Sequence, residues 1–190
     1  MITTSAQKYK QLRLHALSVA PASFSSTYEI ESALPEEGWV TRLTAGGKET
    51  FICAATSINN HATEKILFLP EESGQKTPSE DQELWQMLSL FTLPDHRGQG
   101  LGKKLCREAL DYLVSHREAE REVCVRLMVK PENHATVRLY QGLGFVEAGK
   151  CTLAEAFIAT GDRELPPKDI SGEKYSSRTG LIMMLEIRRW

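Results

Sequence analysis

The chain has 190 residues, 41% hydrophobic and 25% charged, with 23 Lys+Arg against 25 Asp+Glu for a net charge of −2. That is about one domain's worth of chain, with enough core to fold without staples. The charge balance excludes a broad nucleic-acid surface, which needs clustered positive charge. The cysteines Cys53, Cys106, Cys124 and Cys151 form no Cys-x-x-Cys, and no His-Glu-x-x-His occurs. Neither a metal site nor a disulfide framework is therefore expected. The segment from Met1 to Lys10 has no apolar h-region. No run reaches the ~18 apolar residues of a membrane span. The expectation is a soluble, intracellular, cytoplasmic protein with no membrane or nucleic-acid partner.

In chain order, Leu12, Ala16, Leu17 and Val19 recur at roughly helical spacing and predict a helix over 5–20. Pro21 ends it, because proline lacks the N–H that another turn needs. Residues 22–43 read as a broken helical stretch interrupted at Leu34-Pro35-Glu36, with Phe24, Tyr28 and Trp39 expected to pack in the core. Gly46-Gly47 reads as a turn, 51–56 and 65–69 as strands, and 70–82 as an acidic, solvated loop. Leu84–Leu93 is nearly all apolar, which predicts a central strand covered on both faces.

Pro94 ends that strand, and an amphipathic helix follows to about residue 118, its stripe being Leu101, Leu105, Ala109, Leu110 and Leu113. Cys106, at near-core spacing in this helix, reads as packing. Val123–Lys130 is the next strand, and Asn133–Gln141 a helix with Asn133 as N-cap and Gly142 as stop. Phe145–Ala148 is strand-like, 159–180 a polar loop and Leu181–Ile187 the last strand. The alternation of strands and helices makes the class α/β.

The chemistry concentrates where the apolar strand gives way to Pro94-Asp95-His96-Arg97-Gly98-Gln99-Gly100-Leu101-Gly102-Lys103-Lys104. The first N–H groups of the following helix have no intrahelical partners, and the macrodipole adds partial positive charge. Glycines admit a ligand close to the backbone, so the turn suits an anion, most naturally phosphate. Arg97, Lys103, Lys104 and Arg107 add positive charge where the dipole opposes it. A P-loop needs Gly-x-x-x-x-Gly-Lys-Ser/Thr and a dinucleotide fingerprint Gly-x-Gly-x-x-Gly; the spacing here matches neither.

Arg97-x-x-Gly100-x-Gly102 resembles the acyl-coenzyme-A motif of the GNAT superfamily of N-acetyltransferases. After the next strand, the run from Asn133 through Leu139-Tyr140 to Gly144-Phe145 resembles that family's Asn-x-x-Ala-x-x-Leu-Tyr-x-x-x-Gly-Phe. The likeness is clearest over 84–148. It implies a single GNAT-like domain over 1–190, a mixed central β-sheet flanked by helices, with the cofactor in the splayed sheet. It also implies direct transfer of an acetyl group from acetyl-coenzyme A to a primary amine.

In that reading Arg97, Gly98, Gln99, Gly100, Leu101, Gly102 and Lys103 hold the pyrophosphate. The main chain of Phe91, Thr92 and Leu93, with Asn133, holds the pantetheine. An N–H near Thr92 donates to the thioester carbonyl, and Tyr140 protonates the leaving thiolate. Glu83 is the candidate base, with His96 and His134 as bystanders. The acceptor is expected to be a small molecule bound by 22–43 and 159–180, with the acidic loop drawing a cation and 159–180 acting as a lid. Monomer and homodimer both stay open. The rival readings are a protein or peptide N-acetyltransferase, a non-catalytic acyl-coenzyme-A sensor, and an unrelated phosphate-binding module.

Overall fold

Proline placement and apolar spacing divide the N-terminal region into three helices. α1 (Ile2–Val19) ends ahead of Pro21, which opens a single 3-10 turn. α2 (Tyr28–Ser32) starts at Thr27, whose hydroxyl accepts from the Ile30 N–H. α3 (Glu36–Thr44) starts after Pro35 and carries Glu36 and Glu37 in its first turn, where the dipole favours them. α1 packs on α3 through Tyr9 against the fully buried Trp39, ring centroids 5.8 Å apart. This computed structural model describes residues 2–24, 26–46, 49–53, 82–115, 122–159 and 172–188.

The described strands are β1 (Gln82–Met87), β2 (Glu122–Val129), β3 (Val146–Cys151) and β4 (Gly180–Ile187). They form a mixed sheet in the order β1-β2-β4-β3, β1 parallel to β2 and the other neighbours antiparallel. The connection from β1 to β2 runs through α4 (Leu101–Ser115), the crossover that a parallel pair requires. Cys106, Ala109, Leu110 and Leu113 of α4 pack on Val123, Val125 and Leu127, which project from one face of β2. α5 (His134–Gln141) adds Tyr140 to the same core, and Phe145 follows it. Two short helices, α6 (Leu153–Ala159) and α7 (Glu173–Ser176), precede β4.

Three expectations change. The apolar run Leu84–Leu93 is a strand only through Met87, because Ser89 takes a left-handed φ of 57° and breaks the ladder. The strand placed at Phe145–Ala148 is β3, from Val146 to Cys151. The region read as a loop from 159 contains α7 and begins at the last residue of α6. Of 51–56, residues 51–53 are described and are not strand; 54–56, the strand at 65–69, the acidic loop before Gln82, and 116–118 and 160–171 lie outside the described residues.

Candidate active site

β1 and β2 keep register from Gln82↔Glu122 to Met87↔Leu127, and there the pairing stops. β2 continues to Val129, still held on its other side by Leu181 of β4. The two strands thus part after Met87, and the chain from Leu88 to Leu93 leaves the sheet. Among the described residues, the main-chain N–H groups of Leu88–Leu93 make no hydrogen bond.

Beyond the gap, Pro94–His96 makes one 3-10 turn and leads into the glycine segment. Arg97 lies across the ring of Phe91, and its Nε–H donates to the Thr92 carbonyl at 3.1 Å. That bond occupies the Thr92 oxygen and leaves the Thr92 N–H. Gly98 and Gly100 have φ of 75° and 76°, and a Cβ on either would meet nothing within 4 Å. Their glycine character therefore serves backbone conformation and open approach, not packing against the protein.

The Lys104 N–H donates to the Gly100 carbonyl at 2.9 Å, so Gly100 stands at the N-cap of α4. A glycine there has no side-chain oxygen to accept from the N–H groups of Leu101, Gly102 and Lys103. Gly102 faces α5: a Cβ on it would lie 3.4 Å from Leu139 Cδ1, in ordinary contact. Lys103 is less opposed to the dipole than the sequence implied. Its Nζ lies near Gly142, at the carboxyl end of α5, where the dipole favours a cation.

α5 contributes the other half. Asn133 is its N-cap as expected, Oδ1 accepting from the Thr136 N–H at 3.4 Å. Thr136, rather than Ala135, occupies the position of the family's alanine. Tyr140 is buried against Phe145, ring centroids 5.6 Å apart. Its hydroxyl makes no hydrogen bond among the described residues. Burial, then the neighbouring Cys106 thiol, pushes the phenol well above its ordinary value and keeps it protonated.

These pieces line one cleft of about 1140 Å³: Leu88–Thr92, Arg97, Gly98 and Gly100–Lys103 on one side, Asn133 and Tyr140 on the other. Gln99 and Leu93 are not in that lining; Gln99 Nε2 instead donates to the Asp95 carbonyl at 3.4 Å. Glu83 is not in it either. Glu83 sits four residues before the gap on β1, and its carboxylate accepts from the Trp85 indole N–H at 3.3 Å.

The sequence did not reveal the far wall, where α1, α2 and α3 meet. Glu31 is fully buried there and gripped by two arginines. Arg13 binds it through both oxygens, Nε to Oε2 at 2.9 Å and Nη2 to Oε1 at 2.6 Å, and Arg42 Nη1 reaches Oε2 at 2.9 Å. Burial pushes this carboxyl up, but the two arginines together outweigh it and hold the pKa below the ordinary carboxylate value. All three residues line the cleft. Phe24, expected in the core, also lines it, beneath Arg13 and 6.1 Å from Phe91 between ring centroids. Tyr28 is exposed, and only Trp39 of the three aromatics is core. Lys130 closes this wall by donating from Nζ to the Ala22 carbonyl.

The acetyltransferase (GNAT) family profile matches residues 21–145, from the turn after α1 through α5. The chain belongs to the GNAT acetyltransferase family. No curated protein sequence matches it. Among solved structures, the GNAT chain is similar to a point mutant of the spermidine N-acetyltransferase SpeG from Vibrio cholerae at 22% identity and TM-score 0.36, covering 54% of this chain and 48% of that one. It is also similar to the Vibrio cholerae spermidine N-acetyltransferase in complex with CoA and spermine, at 23% identity and TM-score 0.33, over 57% and 50% of the two chains. The chain thus spans about half the length of the structures it matches. Among the described residues, no helix is long and apolar enough to cross a membrane.

Proposed function

We propose that this protein transfers an acetyl group from acetyl-coenzyme A directly to a primary amine of a small molecule, within one domain spanning 1–190. The observation that carries this reading is that two motifs far apart in sequence line one cleft where β1 and β2 part. The site fits the donor on its own geometry: the first N–H groups of α4 suit a pyrophosphate, and the N–H groups of Leu88–Leu93, which make no hydrogen bond among the described residues, suit an amide-bearing arm. Coenzyme A supplies an acyl thioester when bound.

The chain's own residues then divide the work. The N–H groups of Leu101, Gly102 and Lys103 hold the diphosphate, with Arg97 beside them. The main chain at Phe91–Leu93 and the Asn133 side chain align the pantetheine. The Thr92 N–H, which has no partner among the described residues, polarises the thioester carbonyl, a type of donor worth ~2.7–4 kcal/mol in other enzymes. Tyr140 supplies a proton to the departing sulfur, its hydroxyl being protonated and uncommitted. Glu83, outside the cleft lining and bonded to Trp85, has no direct role in this scheme. The amine reaches its neutral form through water in the open cleft.

The far wall argues about the acceptor. The described charged lining of the cleft is Arg13, Arg42, Arg97, Lys103 and Lys130 against Glu31 and Glu132. Arg97 and Lys103 belong to the donor side and Arg13 and Arg42 are held by Glu31, so the described acceptor wall is close to charge balance. The test is release of free thiol from acetyl-coenzyme A with a panel of amines that includes monoamines, amino acids, polyamines and a lysine peptide. Turnover with any small amine supports the reading. Turnover with the peptide alone makes the protein a protein acetyltransferase. Donor binding without turnover on any amine makes it a binding module.

A further inference from the structure

A second pocket, of about 200 Å³ and partly open to solvent, lies behind the segment where the strands part, between α1, residues 50–53 and α4. Its described walls are mostly apolar, with Leu12 and Ala16 of α1, Phe51, Leu105 and Ala109 of α4, and Val125 of β2. Met87–Thr92 is a wall common to this cavity and to the donor cleft. The void therefore adjoins the backbone proposed to hold the thioester.

Interiors are close-packed, and few voids exceed a water molecule. An apolar cavity of ~150 Å³ stays dry and takes up benzene. Arg13, Thr50, Ser89, Thr92 and His96 give the lining a polar side, but most of the wall is apolar, so hydrocarbon is the better occupant of its inner part. An acetyl group offers one methyl beyond its carbonyl and would leave almost all of this space unfilled. Cys106, also in the lining, is no competing nucleophile, because burial pushes its thiol up to about 12.

We propose that this cavity is an acyl-chain pocket and that the enzyme prefers donors whose chain has on the order of six carbons, the size of guest such a void accepts. The inference rests on the acyl-transfer reading and extends it to the donor. The chemistry balances as for acetyl: the amide C–N bond forms, the thioester C–S bond breaks, the amine gives up one proton and the coenzyme A sulfur gains one. No oxidant or reductant is needed.

The test is a donor series from acetyl- to decanoyl-coenzyme A. It is read twice, as Kd by titration calorimetry without amine and as kcat/KM by thiol release with one amine. Each buried methylene should tighten binding about fourfold, so hexanoyl should exceed acetyl by up to ~200-fold. Binding should weaken again once the chain outgrows the cavity. The heat-capacity change of binding should become more negative along the rising part of the series. Filling the void with Ala109→Leu should collapse the ratio of hexanoyl to acetyl specificity. The wild-type series stands without that variant if it fails to fold. An acetyl optimum, or a flat profile, with normal acetyl transfer overturns the pocket and leaves the transferase intact. Failure of every coenzyme A thioester to bind overturns both.

Discussion

Replacing Tyr140 with Phe removes one oxygen and little else. The ring keeps its contact with Phe145 at 5.6 Å, and no hydrogen bond to a described residue is lost. Stability should therefore change by less than ~1 kcal/mol, below the cost of a lost hydrogen-bonding partner. Catalysis should change more. General acids contribute 10²–10⁴-fold, and a thiol with an ordinary pKa near 8.5 is already a fair leaving group. The expected loss in the chemical step is thus about 100-fold, or ~2.7 kcal/mol. The pH profile carries a second mark of the same residue. An acid must be protonated to act, and an ordinary phenol loses its proton near pH ~10. Burial holds the Tyr140 pKa above that, so the wild-type rate should rise as the amine deprotonates and show no decline through pH ~10. Single-turnover thiol release, which isolates chemistry from product loss, measures both. An unchanged Tyr140→Phe rate, or a wild-type decline at the ordinary phenol pKa in folded protein, would remove Tyr140 as the acid.

Gly100→Asp should abolish donor binding, because it adds a carboxylate at the N-cap of α4, where the pyrophosphate is proposed to lie, and strains a φ of 76°; normal acetyl-coenzyme A affinity in a calorimetric titration would contradict the placement. Glu31→Gln leaves two arginines around a neutral amide and should destabilise the fold by ~3–5 kcal/mol in chemical denaturation, the usual cost of orphaning buried charge; a loss under ~1 kcal/mol would mean the triad is solvated. The sign with pH follows from the lowered carboxyl: its contribution is fully present above the ordinary Glu value of ~4.3 and is lost as pH falls through the lower folded value. The variant should therefore lose part of the wild type's acid sensitivity. Native-state alkylation at pH 8 should label Cys53, which is exposed, while the buried Cys106, Cys124 and Cys151 react only on unfolding, as mass spectrometry of the labelled peptides would show.

What the sequence revealed and concealed has physical reasons. The α4 stripe and the Val123, Val125, Leu127 alternation were legible because one buried face imposes one period. Pro21 and Asn133 were legible as local chain stereochemistry and capping. The early end of β1 was not, since Ser89 adopts its left-handed φ in a run whose apolar character continues to Leu93. α6 was missed although its signal was present: Thr152 and Glu155 form a reciprocal cap, the Thr152 N–H donating to Glu155 Oε2 at 2.8 Å and the Glu155 N–H to Thr152 Oγ1 at 3.0 Å. The Arg13–Glu31–Arg42 cluster had no signal at all. Its members are 18 and 11 residues apart, and only the packing of three helices brings them together. The cleft wall that carries the two motifs was thus readable because it is built from contiguous sequence. The far wall is assembled from isolated side chains.

The central claim is that the cleft between the parted strands is an acyl-coenzyme A site. Titration calorimetry with acetyl-coenzyme A, against ATP and NAD as controls, tests it most directly. The account predicts saturable, micromolar binding of acetyl-coenzyme A, little heat from ATP or NAD, and loss of the signal in Gly100→Asp. No binding of acetyl-coenzyme A by folded protein, or tighter binding of ATP, would contradict it.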